Sequence, residues 1–113
     1  MHELNVLMEV VDQVETLAAE SKIEKVKTIV LQIGELSSVV PMFMEQYYPL
    51  MVENKKCLQD SELVIERVPG KARCENCGEV YDVVENNGHC PVCNAFEKEV
   101  LQGREFIIKE IWV

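Results

Sequence analysis

Four of the five cysteines of this 113-residue chain fall within one short stretch, CENCGEVYDVVENNGHCPVC. Cys74, Cys77, Cys90 and Cys93 have the spacing C-x2-C-x12-C-x2-C, with Gly78 directly after the first pair and Pro91 inside the second. A two-residue gap lets the backbone fold into a knuckle that aims both thiolates at one ion, and two knuckles complete a tetrahedron. Four sulfurs leave no open coordination position, so the pattern predicts a closed, structural zinc site. An iron centre of rubredoxin type uses similar knuckles, and ligand identity alone leaves it open. A pair of redox-active CxxC motifs is the other reading, although a dithiol oxidoreductase usually presents one such motif at a helix start in a thioredoxin-like pattern. That pattern is absent from the sequence.

The second place where chemistry could sit is the beginning, MHE. With Met1 retained, its free amine, the amide nitrogen of His2 and the imidazole of His2 are close enough along the chain to form fused chelate rings on one ion. Glu3 adds a carboxylate or a further amide nitrogen. Nitrogen-rich, square-planar donor sets suit Ni(II) or Cu(II) better than Zn(II). A helix start carries a partial positive charge that repels a cation, and Glu3 would offset it. The bland alternative is an exposed histidine near a frayed terminus. Of the remaining candidates, Cys57 reads as a small buried apolar residue and His89 as a solvated loop residue beside Cys90. No nucleophile-base pair or open metal site suggests an enzyme.

Twenty acidic against eleven basic residues give a formal charge of -9. Around the cysteines, Lys71, Arg73 and Lys98 face Glu75, Glu79, Asp82, Glu85, Glu97 and Glu99, so even this segment lacks the basic surface that displaces counterions from nucleic acid. There is no apolar run of bilayer-crossing length and no basic start leading into a signal-peptide core. The expectation is a cytoplasmic protein with no nucleic-acid or membrane partner, in a compartment where paired cysteines hold metal rather than disulfides.

These residues need a scaffold, and 48% hydrophobic residues are ample for one core. Leu4, Leu7, Met8, Val11, Val14 and Ala18 recur at three- and four-residue intervals, which predicts an amphipathic helix from Glu3 to about Lys22. Val26 to Ile33 is rich in branched residues and stops at Gly34, as a strand would. Pro41 suits a first helical turn, with Phe43, Tyr47, Leu50 and Met51 on one face, and Pro49 predicts a kink or break. ELVIERV (62–68) and EFIIKEIWV (105–113) read as two more strands. The fold class predicted is α+β, a small three-stranded sheet with two helices plus an inserted four-cysteine, zinc-ribbon-like lobe. The lobe is placed at 70–99, and the α+β domain at 1–69 and 100–113.

Taken together, MHE running into a long amphipathic helix, then VKTIVLQIGELSSV, ELVIERVPGKARCENCGEVY, CPVC and a final GREFIIKEIWV resemble the hydrogenase maturation nickel metallochaperone family, HypA/HybF, along essentially the whole chain. The resemblance implies Ni(II) as cargo at His2 with its backbone nitrogen and at Glu3, joined by the Met1 amine in some arrangements. It implies structural zinc at Cys74, Cys77, Cys90 and Cys93. It also implies delivery to the large subunit of [NiFe]-hydrogenase with a partner GTPase, and in some relatives service to urease maturation. The rival reading is a zinc-ribbon adaptor for a protein or nucleic-acid partner, in which His2 would be incidental. A thiol redox sensor, releasing zinc on mild oxidation, is a further rival.

Overall fold

A computed structural model describes residues 2–113, the side chain of His2 excepted. The element order is α1 (His2–Glu20), β1 (Thr28–Gly34), α2 (Pro41–Met51), a 3-10 turn (Lys56–Leu58), β2 (Glu62–Val68), β3 (Lys71–Cys74), β4 (Val80–Asp82), β5 (Lys98–Gln102) and β6 (Phe106–Trp112). The described residues form two three-stranded sheets, ordered β2-β1-β6 and β4-β3-β5. The chain divides into two compact units. One comprises Met1–Leu31, Val39–Glu66 and Ile107–Val113, and the other Gln32–Ser38 and Arg67–Phe106.

In the first unit α1 packs against α2 and the 3-10 turn. Its inward stripe is Leu7, Val10, Val11, Val14 and Ala18, all buried, at the spacing of one helix face. Val10 was not among the expected face residues, and Met8, which was, stands 46% exposed. The helix stops at Glu20 because Lys22 turns left-handed (φ 57°). Ile23 N–H then bonds Ala18 O at 2.8 Å and Lys22 N–H bonds Ala19 O at 3.3 Å, which closes the helix end. In α2 the buried positions are Met44 and Tyr48, and Leu50, expected inside, is 69% exposed.

The break expected at Pro49 does not occur there. The helix continues to Met51, and Val52 N–H still bonds Tyr48 O at 3.1 Å. Pro49 stands exposed in the last turn; having no N–H, it gives up the bond to Glu45 O, and the helix runs only two residues further.

Strand β1 is the centre of its sheet, and the burial of Ile29, Val30, Leu31 and Ile33 explains its continuous apolar run. Bonds at both ends set the strand directions. Lys27 N–H reaches Trp112 O and Gly34 N–H reaches Glu105 O, so β6 runs antiparallel to β1. Glu62 N–H reaches Lys27 O and Glu35 N–H reaches Val68 O, so β2 runs parallel to it, with α2 in the crossover.

In the second unit, Gly34, Gly70 and Gly103 meet. A Cβ on Gly34 would lie 1.8 Å from Gly103 O, and one on Gly103 would lie 2.6 Å from Gly70 Cα. Backbone can approach backbone this closely only where side chains are missing. The peptide N–H groups at this crossing are used: Gly70 N–H donates to Glu35 Oε1 at 2.8 Å, and Gly103 N–H donates to the Glu105 carboxylate.

Candidate metal centre

The short sheet of the second unit is built around β3. Ala72 pairs with Tyr81 on one side and with Val100 on the other, across a bulge at Lys71/Ala72. Ala72, Cys74, Tyr81 and Cys90 are buried, with Val83, Cys93 and Ala95 packed against them. The thiols thus form part of the small core they stabilise. An assembly with so few large apolar side chains gains little from burial alone.

The two cysteine pairs repeat one backbone pattern. Gly78 N–H donates to Cys74 O at 2.9 Å while Cys74 N–H donates to Glu79 O at 2.8 Å. Asn94 N–H donates to Cys90 O at 2.8 Å while Cys90 N–H donates to Ala95 O at 3.0 Å. Each turn needs a left-handed residue after its second cysteine, supplied by Gly78 (φ 82°) and Asn94 (φ 64°). Asparagine is among the few residues with a side chain that tolerate this conformation. Peptide N–H groups also point at sulfur, from Cys77 to Cys74 Sγ at 3.5 Å and from Val92 to Cys90 Sγ at 3.4 Å.

The Sγ atoms of Cys74, Cys77, Cys90 and Cys93 all lie within 4.8 Å of one another. Cys74 and Cys93, and Cys77 and Cys90, approach to 3.5 Å. Zinc bound to four thiolates at about 2.3 Å separates its sulfurs by roughly 3.8 Å, so the donor set fits the ion's size as well as its preference for sulfur. Cys74 and Cys90 are buried, Cys93 half-buried and Cys77 exposed. Crowding splits their acidities. Hydrogen bonds from the Asn76 side chain and the Ala95 backbone N–H bring the Cys93 thiol down to about 6. The Glu79 backbone N–H lowers Cys77, but desolvation and the bonds to Cys90, Cys93 and Cys74 outweigh it and push that thiol up to about 12. Four thiolates side by side repel one another, and a dication placed among them removes that penalty.

Tyr81 was not singled out in the sequence. Its hydroxyl is buried without a hydrogen-bond partner among the described residues, and burial, then the charges of Cys74, Cys90 and Cys93, push it above the ordinary tyrosine range. Its only sequence signal is the alternation of Val80-Tyr81-Asp82. His89 does not join the sulfur group. It is exposed, with its ring edge-on to Phe96 at 5.7 Å. Cys57 is half-buried in the 3-10 turn, short of the full burial expected.

Of the amino-terminal candidates, Met1 and the imidazole of His2 lie outside the described residues. Glu3 stands in the first turn of α1 with only 9% of its surface exposed, and its Oε2 accepts the backbone N–H of Val40 at 3.2 Å. No helix among the described residues is long and apolar enough to cross a membrane.

Comparison with known proteins places this geometry. The sequence pattern of the family described as "Hydrogenase/urease nickel incorporation, metallochaperone, hypA" matches residues 1–113. The hydrogenase maturation factor HypA of Geobacter metallireducens is 35% identical over 113 residues, covering 100% of this chain and 99% of that protein. The hydrogenase maturation factor HypA of Streptomyces avermitilis is also 35% identical, covering 98% of this chain and 86% of its own length. Among solved structures, the Ni metallochaperone HypA from Helicobacter pylori superposes with a TM-score of 0.67 at 21% identity, over 97% of this chain and 95% of that one. A second HypA solution structure gives 0.68 at 23% identity, over 99% and 95%. At these identities the superpositions establish the α+β fold with its cysteine lobe.

Proposed function

We propose, because the chain belongs to the HypA family of hydrogenase/urease nickel-incorporation metallochaperones, that it carries Ni(II) at its amino terminus and delivers it to the [NiFe]-hydrogenase large subunit during maturation. The nickel ligands in this reading are the His2 imidazole, backbone nitrogens of the first residues and the Met1 amine, with Glu3 completing the site. Zn(II) is held by Cys74, Cys77, Cys90 and Cys93 and serves structure. The nickel-binding domain comprises 1–69 and 100–113, and the zinc lobe 70–99. A maturation GTPase acts as partner, urease maturation proteins are further acceptors, and the work takes place in the cytoplasm without catalysis.

The observation that carries this reading is the full-length family match of a chain whose four thiols already gather into a closed set. A tetrahedral sulfur site has no vacant position through which an acceptor could begin to take the ion. Cargo therefore needs a second, open site, and the nitrogen-rich amino terminus offers donors suited to Ni(II). Exchange from there leaves the zinc lobe intact.

The test is metal stoichiometry with Ni(II) titration on the untagged protein, beside His2→Ala and Cys74→Ala. One zinc and one nickel per wild-type chain, with His2→Ala losing nickel and keeping zinc, is the expected result. Nickel that survives His2→Ala, or that merely displaces zinc at the cysteines, would make the chain a zinc-ribbon adaptor instead.

A further inference from the structure

Asn87 is the only asparagine of the chain that is followed by a glycine. An asparagine can react with its own backbone, because the next peptide nitrogen lies a single ring closure away from the side-chain carbonyl carbon and needs only a near-attack geometry. A glycine there leaves the approach open, having no Cβ and few conformational limits. In the fold the attacking atom is occupied: Gly88 N–H donates to Val83 O at 2.9 Å. Around it, Asn86 N–H bonds Asp82 O at 3.3 Å, Asn87 N–H bonds Val84 O at 3.2 Å and His89 N–H bonds Asn86 O at 3.0 Å. Asn87 and Gly88 are both left-handed, at φ 54° and 81°, so these bonds hold the turn in an uncommon backbone conformation. Phe96 lies against it, with Cε2 3.8 Å from where a Cβ on Gly88 would stand. The Asn87 side chain is exposed, so water reaches it.

We infer that Asn87-Gly88 is a self-modification site, kept closed by the folded four-cysteine lobe and opened when the lobe loses its metal. This rests on the reading of the four thiols as a zinc site and is independent of how nickel is held. In the opened lobe the Gly88 nitrogen gives its proton to solvent base and bonds to Asn87 Cγ. The bond from that carbon to the side-chain nitrogen breaks, and ammonia leaves. Water then opens the cyclic imide at either carbonyl, leaving an aspartate or a β-linked isoaspartate where Asn87 stood. While Gly88 N–H is bonded to Val83 O the attack cannot begin, so the rate follows the fraction of chains in which that bond is open. The β-linked product puts an extra carbon into the main chain just before Cys90, where the bonds of Gly88 and His89 lead into the second knuckle. Conversion therefore marks chains that have stayed without metal and hinders them from taking it up again.

The full-length, untagged protein is incubated under reductant at mildly alkaline pH in two forms, zinc-loaded and stripped by a chelator. Peptide mapping by mass spectrometry with isoaspartate detection follows every asparagine, and hydrogen exchange follows the Gly88 amide in the same samples. Asn87 converts at least about tenfold faster in the stripped form, ahead of every other asparagine, and the Gly88 amide loses its protection there. Reloaded with zinc, the aged stripped sample recovers fewer occupied sites, in proportion to its isoaspartate. Asn87→Gln, whose longer side chain closes a ring far more slowly, recovers them. Equal conversion in both forms, with a Gly88 amide protected only in the loaded one, would overturn the inference. So would faster conversion at another asparagine, or full zinc recovery by converted chains. A stripped protein whose Gly88 amide stays protected would bring down the metal dependence of the lobe and the inference with it, and the exchange data tell that failure from a failure of the shield. Should Asn87→Gln fold poorly, the mapping of the unaltered chain still decides.

Discussion

Tyr48 and Ser61 share a single line of protons. The Ser61 hydroxyl donates to Leu58 O, so the 2.6 Å contact between Tyr48 Oη and Ser61 Oγ must be donated by the tyrosine. Burial pushes the Tyr48 hydroxyl above its ordinary 10.0, with a further push from Cys57. A raised folded-state value favours the protonated form in the fold. This contribution to stability is therefore complete below the unfolded value of about 10 and is lost as pH rises through the folded one. Tyr48→Phe should cost about 1 kcal/mol at neutral pH and flatten the alkaline loss of stability, which urea midpoints measured on both proteins from neutral to strongly alkaline pH would check. At this scale the cysteines were the legible part, because ligand spacing is written locally in the chain. Glu3 was legible only as a candidate ligand. Its buried bond to Val40 joins residues 37 positions apart, which no local pattern reveals.

Among the elements, α1, β1, β2 and β6 could be read from pattern: α1 and β1 bury several residues each, while β2 and β6 alternate half-buried with exposed positions along most of their length. Strands β3, β4 and β5 escaped notice. They span only Lys71–Cys74, Val80–Asp82 and Lys98–Gln102, and the knuckle bonds and their mutual pairing define them more than any apolar alternation does. Met8 and Val10 lie about 200° apart, on opposite edges of the α1 stripe, and which edge is buried depends on what packs there. The glycines of the second unit give the clearest contrast at this scale. Gly78 meets nothing within 4 Å and needs only its left-handed φ of 82°. Gly78→Ala should therefore cost on the order of 1 kcal/mol. A methyl on Gly34 would sit 1.8 Å from Gly103 O, which no rotamer change can relieve. Gly34→Ala should cost about 3 kcal/mol or more, and thermal unfolding of the two variants side by side would show the ranking.

For the whole molecule the proposed division of labour between metals becomes a division of stability. The expectation is that chelating zinc unfolds residues 70 to 99 while the helices and the β2-β1-β6 sheet keep native hydrogen-exchange protection. Unchanged protection of the lobe after metal removal would refute this. The glycine crossing adds a cost that the sheet itself would bear. Gly70 and Gly103 touch, so the segment between them leaves and returns at one point. When ordered it behaves as a stitch in the chain; when unfolded it is a flexible loop of roughly thirty residues whose closure costs about 3 kcal/mol in chain entropy. Part of the contribution of a metal bound by the four thiols would thus be felt by strands outside the lobe. Metal-free protein should keep its main sheet but melt at a lower temperature, as a protein does when a tie between distant parts of its chain is cut.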